Sequence, residues 1–131
     1  MASELRITTL ANNAGTESVD TTYVINGSAK AWVDFTTITT TSARDSFNVS
    51  SLTDLGTGST TITYSSSMGS ANYAGSYYTG ANDSGTSYRT FNNDWTGGFG
   101  SKTSSSVTAG SYNLAFVDSH KNDVVVMGDL A

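Results

Sequence analysis

The sequence contains no cysteine and no proline, and only 13% of its 131 residues are charged. Without cysteine there can be no disulfide framework, so packing and sheet pairing must stabilise the fold, which suits folding in a reducing cytoplasm. The chain also lacks a basic start followed by an apolar run, and it contains no stretch of about eighteen apolar residues. We therefore expect neither secretion nor membrane insertion.

Positive charge is scarce as well. Six Lys and Arg residues stand singly along the chain against eleven Asp and Glu, which gives a net charge of -5. Proteins that bind nucleic acid need clustered Lys and Arg to contact the phosphates. The charge pattern therefore predicts no nucleic-acid partner.

The residues that are abundant favour strands and turns. About a third of the chain is Ser or Thr, and there are 13 Gly, seven Tyr, two Trp and five Phe. Thr, Tyr and Val suit the pleated surface of a sheet, whereas Ser, Gly and Asn form turns. We predict an all-β fold, an antiparallel β-sandwich of the jelly-roll type. Because large aliphatic residues are few, we also predict a homo-oligomer, a homotrimer, in which neighbouring subunits complete the burial.

The chain starts with a short alternating segment. Residues 4–10 place Leu5 and Ile7 on one face of a short strand, followed by a turn-rich stretch up to Gly15. So short a strand must join a sheet, its own or that of a neighbour. We interpret residues 1–18 as an N-terminal arm that docks on another subunit or particle, and residues 19–131 as the sandwich domain. The alternative is that this segment is the first strand of the sandwich.

Several strands and turns can be predicted in the first half of the sandwich. Asn26-Gly27 favours a two-residue hairpin turn between strands at 19–25 and 29–35. In the second of these strands Trp32 falls on the face opposite Val33, where a loop or a second subunit would cover it, or a ligand would stack on it. Residues 36–42 read as an exposed connection or an edge strand.

The next strands alternate as well. Residues 44–51 read as one strand with Phe47, Val49 and Ser51 on one face, and a turn at 54–58 leads to a strand that turns Ile62 and Tyr64 inward. Near the end of the chain, strands are predicted at 111–117 and 124–127, joined by a polar turn at 118–123. The apolar run 124–127 is typical of a central strand or a subunit interface.

Aromatic residues are concentrated between residues 71 and 100, separated by Gly, Asn, Ser and Asp. Such a mixture is typical of recognition surfaces, because Tyr and Trp give contact area at little entropic cost. Residues 93–100 are expected to form a loop that presents its aromatic side chains or packs them over the sheet. The candidate partner-binding residues, the arm included, are Leu5, Ile7, Tyr77, Tyr78, Tyr88, Trp95 and Phe99.

The sequence offers little for catalysis or metal binding. His120 is the only histidine, and its neighbours Asp118 and Ser119 are consecutive with it, so the three point in different directions and cannot form a relay. The aspartates lie beside turn-forming segments, where they cap backbone groups. Residues 82–85, Asn-Asp-Ser-Gly, match a calcium loop poorly. We therefore expect no enzyme activity, no cofactor and no metal.

Three motifs in residues 29–73 point to a family. AKAWVDF, RDSFNVSS and SSMGSANY follow one another, and the segment resembles one that recurs in small virion proteins of tailed marine bacteriophages as AKAWVNF, RxSFNVSS and SxMxxANY. Residues 36–42 depart from that pattern. The resemblance covers about a third of the chain and implies a non-enzymatic virion protein, assembled in the cytoplasm of the host bacterium.

The resemblance leaves the place on the virion open. One hypothesis is a capsid surface decoration or knob-like subunit whose partner is the major capsid protein. The other is a tail-fibre or receptor-binding module that contacts host surface glycans through residues 73–99. A hydrolase acting on cell-surface sugar is disfavoured because no acid pair or nucleophile can be recognised. A fibre normally carries an extended stalk or a long N-terminal anchoring domain, and here fewer than thirty residues precede the resembled segment. We therefore expect the capsid surface rather than the fibre.

Overall fold

The computed structural model describes residues 6–80, 98–110 and 118–131, and within them it contains ten strands and one short helix. None of the helical residues in these ranges forms a helix long and apolar enough to cross a membrane. The elements are β1 (Thr9–Ala11), β2 (Ser18–Asp20), α1 (Thr21–Gly27), β3 (Ala29–Thr36), β4 (Ser42–Phe47), β5 (Val49–Gly56), β6 (Ser59–Tyr64), β7 (Ala74–Gly80), β8 (Gly98–Lys102), β9 (Ser106–Gly110) and β10 (Lys121–Met127).

Two four-stranded antiparallel sheets form the body of the protein. The first sheet has the order β4-β3-β10-β7 and the second has the order β5-β6-β9-β8. A separate two-stranded sheet joins β1 to β2. The predicted all-β antiparallel sandwich is therefore confirmed. Among the described residues β1 pairs with β2 alone and belongs to neither sheet of the sandwich.

The core lies between the two sheets and draws on both. Alternation along each strand turns every second side chain inward, so β3 and β10 supply one wall and β6 and β9 the other. The buried hydrophobic side chains are Ala31, Val33, Phe35, Ile62, Tyr64, Met68, Tyr73, Val107, Ala109, Val124 and Val126. The inward orientation predicted for Ile62 and Tyr64 is confirmed.

The apolar run near the end of the chain forms a central strand, as predicted, since β10 pairs with β3 on one side and β7 on the other. Within one chain only its inward side chains are buried, Val124 and Val126. Val125 is half-buried and Met127 is 39% exposed. Residues 124–127 are all apolar, but only one face of this part of β10 is buried, and the described residues do not fully cover the other face.

The prediction of one strand at 44–51 is wrong, because β4 ends at Phe47 and the chain passes through Asn48 into the second sheet. Asn48 has a φ of 54°, a left-handed conformation that Asn tolerates better than most residues. Its side chain fixes this corner, since Nδ2 donates to the carbonyls of Lys30 (2.9 Å) and Ser66 (3.0 Å) and Oδ1 accepts from the Ser66 amide (2.7 Å). Phe47 therefore lies in the first sheet and Val49 in the second.

A hairpin is present near the turn predicted at 54–58, but its first strand is β5 (Val49–Gly56) and not the predicted strand 44–51. Its turn uses Gly56 (φ 118°) and Gly58 (φ 66°), both in conformations that favour glycine. Asp54 accepts a hydrogen bond from the Gly56 amide at 2.8 Å, and Asp118 accepts one from the Gly58 amide at 2.7 Å. The second bond ties the turn to the far end of the chain.

The hairpin predicted around Asn26-Gly27 is wrong. Val19 belongs to β2, which pairs with β1, and the residues that follow form α1. Asp20 is the N-cap of this helix and accepts a 2.7 Å hydrogen bond from the Thr22 amide. This bond lowers the pKa of Asp20. A local capping interaction therefore replaces the turn, and Gly27 is not among the described glycines with positive φ.

The polar turn predicted at 118–123 is also wrong in part, because β10 begins at Lys121 and two of these polar residues are buried. Ser119 is 1% exposed and Asn122 is fully buried. Residues 37–41 form the predicted connection, and within it Thr37 is buried against Ser119, whose carbonyl accepts from the Thr37 amide at 2.9 Å. The connection at 37–41 and the polar stretch around Ser119 therefore contact each other at one end of the sandwich.

Candidate docking surface

The residues before the sandwich form a small unit of their own. This N-terminal unit, residues 6–28, consists of the β1–β2 hairpin and α1. Its turn is closed by Asn12, whose Oδ1 accepts from the Thr16 amide at 3.0 Å, and by Gly15, which has a φ of 68°. The Thr21 amide donates to the Thr8 carbonyl at 2.9 Å, which connects the start of the helix to the hairpin.

One lysine joins the N-terminal unit to the sandwich. Lys30 is the second residue of β3 and is only 8% exposed. Its ammonium group donates to the Ile25 carbonyl, to the Ser28 carbonyl (3.0 Å) and to the Ser28 hydroxyl (2.6 Å). Lysine at a helix C-terminus satisfies carbonyls that lack a partner within the helix. Lys30 therefore fixes the end of α1 against the start of the first sheet.

None of the large apolar side chains of the N-terminal unit is buried. Apart from Thr21, which is half-buried, every residue of the unit is exposed. Leu10 and Val19 are cross-strand partners on one face of the hairpin, and α1 adds three large apolar side chains. The exposed fractions are Ile7 40%, Leu10 42%, Val19 40%, Tyr23 75%, Val24 43% and Ile25 56%. This is a concentration of apolar surface on a segment with no core of its own.

The predicted partner-binding residues lie in different parts of the chain. Ile7 belongs to the N-terminal unit. Tyr78 is 51% exposed on β7, whereas Tyr77 packs against the core, stacks on Phe35 at 6.5 Å between ring centroids, and donates its hydroxyl to Asn122. Leu5, Tyr88 and Trp95 lie outside the described residues. Phe99 lies in strand β8, so the loop predicted at 93–100 is wrong for residues 98–100, and residues 93–97 lie outside the described residues.

The structure brings together a second group of residues that the sequence did not single out. On the outer face of the first sheet, strand register aligns Asp45 with Asp34, Asp34 with Asp123, and Asp123 with Tyr78. We call Asp45, Asp34 and Asp123 the acidic row. The adjacent row aligns Phe47, Trp32, Val125 and Ser76 in the same manner. Phe47 is 53% exposed, and Trp32 and Val125 are half-buried.

The acidic row has one charged partner among the contacts that the structure describes. Arg44 donates from Nη1 to Asp34 at 2.6 Å, and it also donates to the carbonyls of Phe35 and His120. Partial burial and the charge of Asp34 raise the pKa of Asp123, against the opposing effect of Arg44 and Lys121. The row is therefore only partly neutralised.

The sequence held a weak signal for this surface. The alternation in β3 that turns Val33 inward necessarily turns Trp32 and Asp34 outward. What joins them to Asp45 and Asp123 is the pairing of β3 with β4 and β10, and β10 lies nearly ninety residues further along the chain. Within the described ranges no group of three His, Cys, Asp or Glu side chains is placed to hold a metal ion.

Comparison with known proteins found no matching family model, no matching curated protein and no matching solved structure.

Proposed function

We propose that this chain is a non-enzymatic structural protein of a tailed-phage virion, a decoration subunit that attaches to the capsid surface through its N-terminal unit. The observation that carries the proposal is the exposed apolar surface of residues 6–28. The motifs of residues 29–73 support the virion assignment, and the strands β3 to β6 lie within that segment.

The N-terminal unit is too small to be stable by itself. Strands β1 and β2 have three residues each and α1 has seven. An isolated hairpin is marginal in water, and an isolated helix shorter than about twelve residues is marginal too. A unit of this kind gains stability when its apolar side chains are covered by another surface, since each Å² of apolar surface removed from water contributes about 25 cal/mol. We propose that the major capsid protein supplies that surface.

Self-association is the second part of the proposal. The sandwich itself exposes Met127 by 39% and Leu130 by 43%. These side chains support a homo-oligomer, which we propose to be a trimer. Sedimentation of the purified protein should give the trimer mass, and a monomer across the whole accessible concentration range would contradict this part.

Tyr78 favours the alternative candidate, a receptor-binding module of a tail fibre that contacts host glycans through residues 73–99. It is the described aromatic residue of that region whose ring is more than half accessible. Under this alternative the chain would bind host cells rather than capsids.

Binding assays separate the two candidates. The full chain is incubated with empty capsids of the phage that encodes it and, in parallel, with host cells. We expect retention on capsids, and we expect the double variant Tyr23→Ser/Ile25→Ser to bind at least about tenfold more weakly. Leu55→Ser is the matched control, since Leu55 is 58% exposed on the sandwich. Retention by cells but not by capsids would overturn the proposal in favour of the alternative.

A further inference from the structure

The outer face of the first sheet combines carboxylates and aromatic rings in register. The acidic row runs across β4, β3 and β10, and Phe47, Trp32 and Val125 follow the same three strands one row away. Because neighbouring strands lie about 4.8 Å apart, the three carboxylates span about 10 Å. Phe47 and Tyr78, at 53% and 51% exposure, lie at opposite edges of the sheet.

Three aligned carboxylates are unfavourable in the free protein. Like charges directly opposite one another on neighbouring strands destabilise a sheet, and here the arrangement occurs twice in succession, between Asp45 and Asp34 and between Asp34 and Asp123. Arg44 pairs with Asp34 from one side. Asp45 and Asp123 are exposed. A positively charged partner would relieve the repulsion that the strand register imposes.

The aromatic side chains of this face, Phe47, Trp32 and Tyr78, add a second reason to expect a cation. The face of Trp, Tyr or Phe attracts Lys ammonium and Arg guanidinium groups, and a carboxylate nearby strengthens the contact through a charge-assisted hydrogen bond. Lys and Arg also carry long apolar stems that cover half-buried side chains such as Val125. The net charge of -5 attracts basic segments at longer range.

We infer that the outer face of the first sheet binds a Lys- and Arg-bearing segment of a partner protein, with the acidic row accepting the cationic groups and Phe47, Trp32 and Tyr78 packing against their stems and charges. A metal ion fits less well, because no three acidic or His side chains in the described ranges are grouped to ligate one. A neutral glycan would stack on the rings but would leave the carboxylates uncompensated. The inference does not depend on the proposed virion role.

The test uses the full chain and a fluorescein-labelled peptide of alternating Arg and Gly, with binding followed by fluorescence anisotropy at physiological salt. We expect Asp123→Asn and Phe47→Ser each to weaken binding about fivefold. Phe47→Leu should lose nearly as much as Phe47→Ser, since it keeps apolar volume but removes the aromatic face. Thermal unfolding of each variant verifies that it is folded.

Two controls separate this site from general charge attraction. Asp54→Asn removes the same charge from the second sheet, and Leu55→Ser removes an exposed apolar side chain there; both should bind the peptide as the unaltered protein does. Equal losses for Asp54→Asn and Asp123→Asn, or an unchanged affinity in both Phe47 variants, would overturn the inference. Binding of calcium or of a neutral glucan at this face, with no binding of the peptide, would overturn it as well. Since no capsid is present, failure here leaves the proposed capsid attachment untouched.

Discussion

The hydroxyl of Tyr77 donates a 2.7 Å hydrogen bond to Oδ1 of Asn122, which is completely buried in the first sheet. Thr79 donates to the same oxygen at 3.0 Å, and Nδ2 of Asn122 donates to the carbonyls of Phe35 (3.3 Å) and Ser119 (3.1 Å). Burial raises the pKa of Tyr77, so its hydroxyl stays protonated and able to donate. One amide therefore links β3, β7 and β10 at the same level of the sheet.

Removal of this amide should destabilise the protein strongly. In Asn122→Ala the Tyr77 and Thr79 hydroxyls lose their acceptor and two carbonyls lose a donor in a buried environment, so we expect a loss of about 2–4 kcal/mol in the free energy of unfolding, measured by urea denaturation. Asn72→Ala is the matched control, because Asn72 is exposed, and it should change stability by no more than about 0.5 kcal/mol. Similar effects from both substitutions would refute the importance of the network.

The corner at Asn48 can be tested with a series of substitutions. Asn48→Ala removes three side-chain hydrogen bonds and places Ala in a left-handed conformation, so we expect a loss of about 1–4 kcal/mol in unfolding free energy. Asn48→Gly should be milder by about 1 kcal/mol, because glycine adopts positive φ without strain. If the two variants unfold at the same denaturant concentration, the backbone conformation contributes nothing and the hydrogen bonds account for the whole effect.

Gly128 is predicted to be intolerant of any side chain. A Cβ at this position would lie 2.7 Å from Cβ of Tyr73 and 3.4 Å from its Cα. Since Tyr73 is buried, the backbone would have to move, and we expect Gly128→Ala to cost about 1–3 kcal/mol in thermal or urea unfolding. Gly27→Ala provides the contrast, because nothing lies within 4 Å of the new Cβ. That variant should be neutral or stabilising by up to about 1 kcal/mol; an equally large loss there would show that the Tyr73 contact is not the cause.

The acidic row predicts a dependence of stability on pH. The pKa of Asp123 is raised by partial burial and by Asp34, opposed by Arg44 and Lys121, with Asp45 aligned beyond Asp34. A carboxyl whose pKa is higher in the folded than in the unfolded state favours folding when protonated. That contribution is therefore present below the unfolded pKa of 3.8 and is lost as pH rises through the folded value.

Asp123→Asn should accordingly raise stability at neutral pH by about 0.2–1 kcal/mol, the size of one cross-strand pair. The difference between this variant and the unaltered protein should shrink towards about pH 3, where both side chains are uncharged. Urea unfolding of both proteins at several pH values would measure this difference in stability. Asp54→Asn, on the second sheet, should show no such trend, and a difference that grows on acidification would contradict the assignment.

Sequence patterns predicted the parts of the fold that depend on local chemistry. Alternation placed Ile62 and Tyr64 in the core, and the Asp54–Gly58 stretch gave the correct turn, because turn residues and period-two burial act over a few residues. The same reasoning failed at two places. A strand was expected to lead into Asn26-Gly27, but Asp20 caps a helix there. Residues 44–51 alternate like one strand, although the chain changes sheets at Asn48, which has a left-handed conformation.

The two candidate surfaces also differ in how far the sequence predicts them. The sequence alone shows the apolar residues near the start of the chain, of which Ile7 is 40% exposed on the N-terminal unit. The acidic row was not visible, since Asp34 and Asp123 come together only when β10 pairs with β3. The polar turn predicted at 118–123 includes Asn122, whose side chain is instead fully buried and takes part in four hydrogen bonds.

The sequence by itself determined an all-β chain without disulfides, with its inward-facing side chains and one of its tight turns, because each of these follows from residue preferences acting within a few positions. Only the tertiary structure decided which strands became neighbours, and with that the buried Asn122 network, the corner at Asn48 and the alignment of three carboxylates. Strand pairing over tens of residues reflects the burial of a whole sheet face, which no short stretch of sequence encodes.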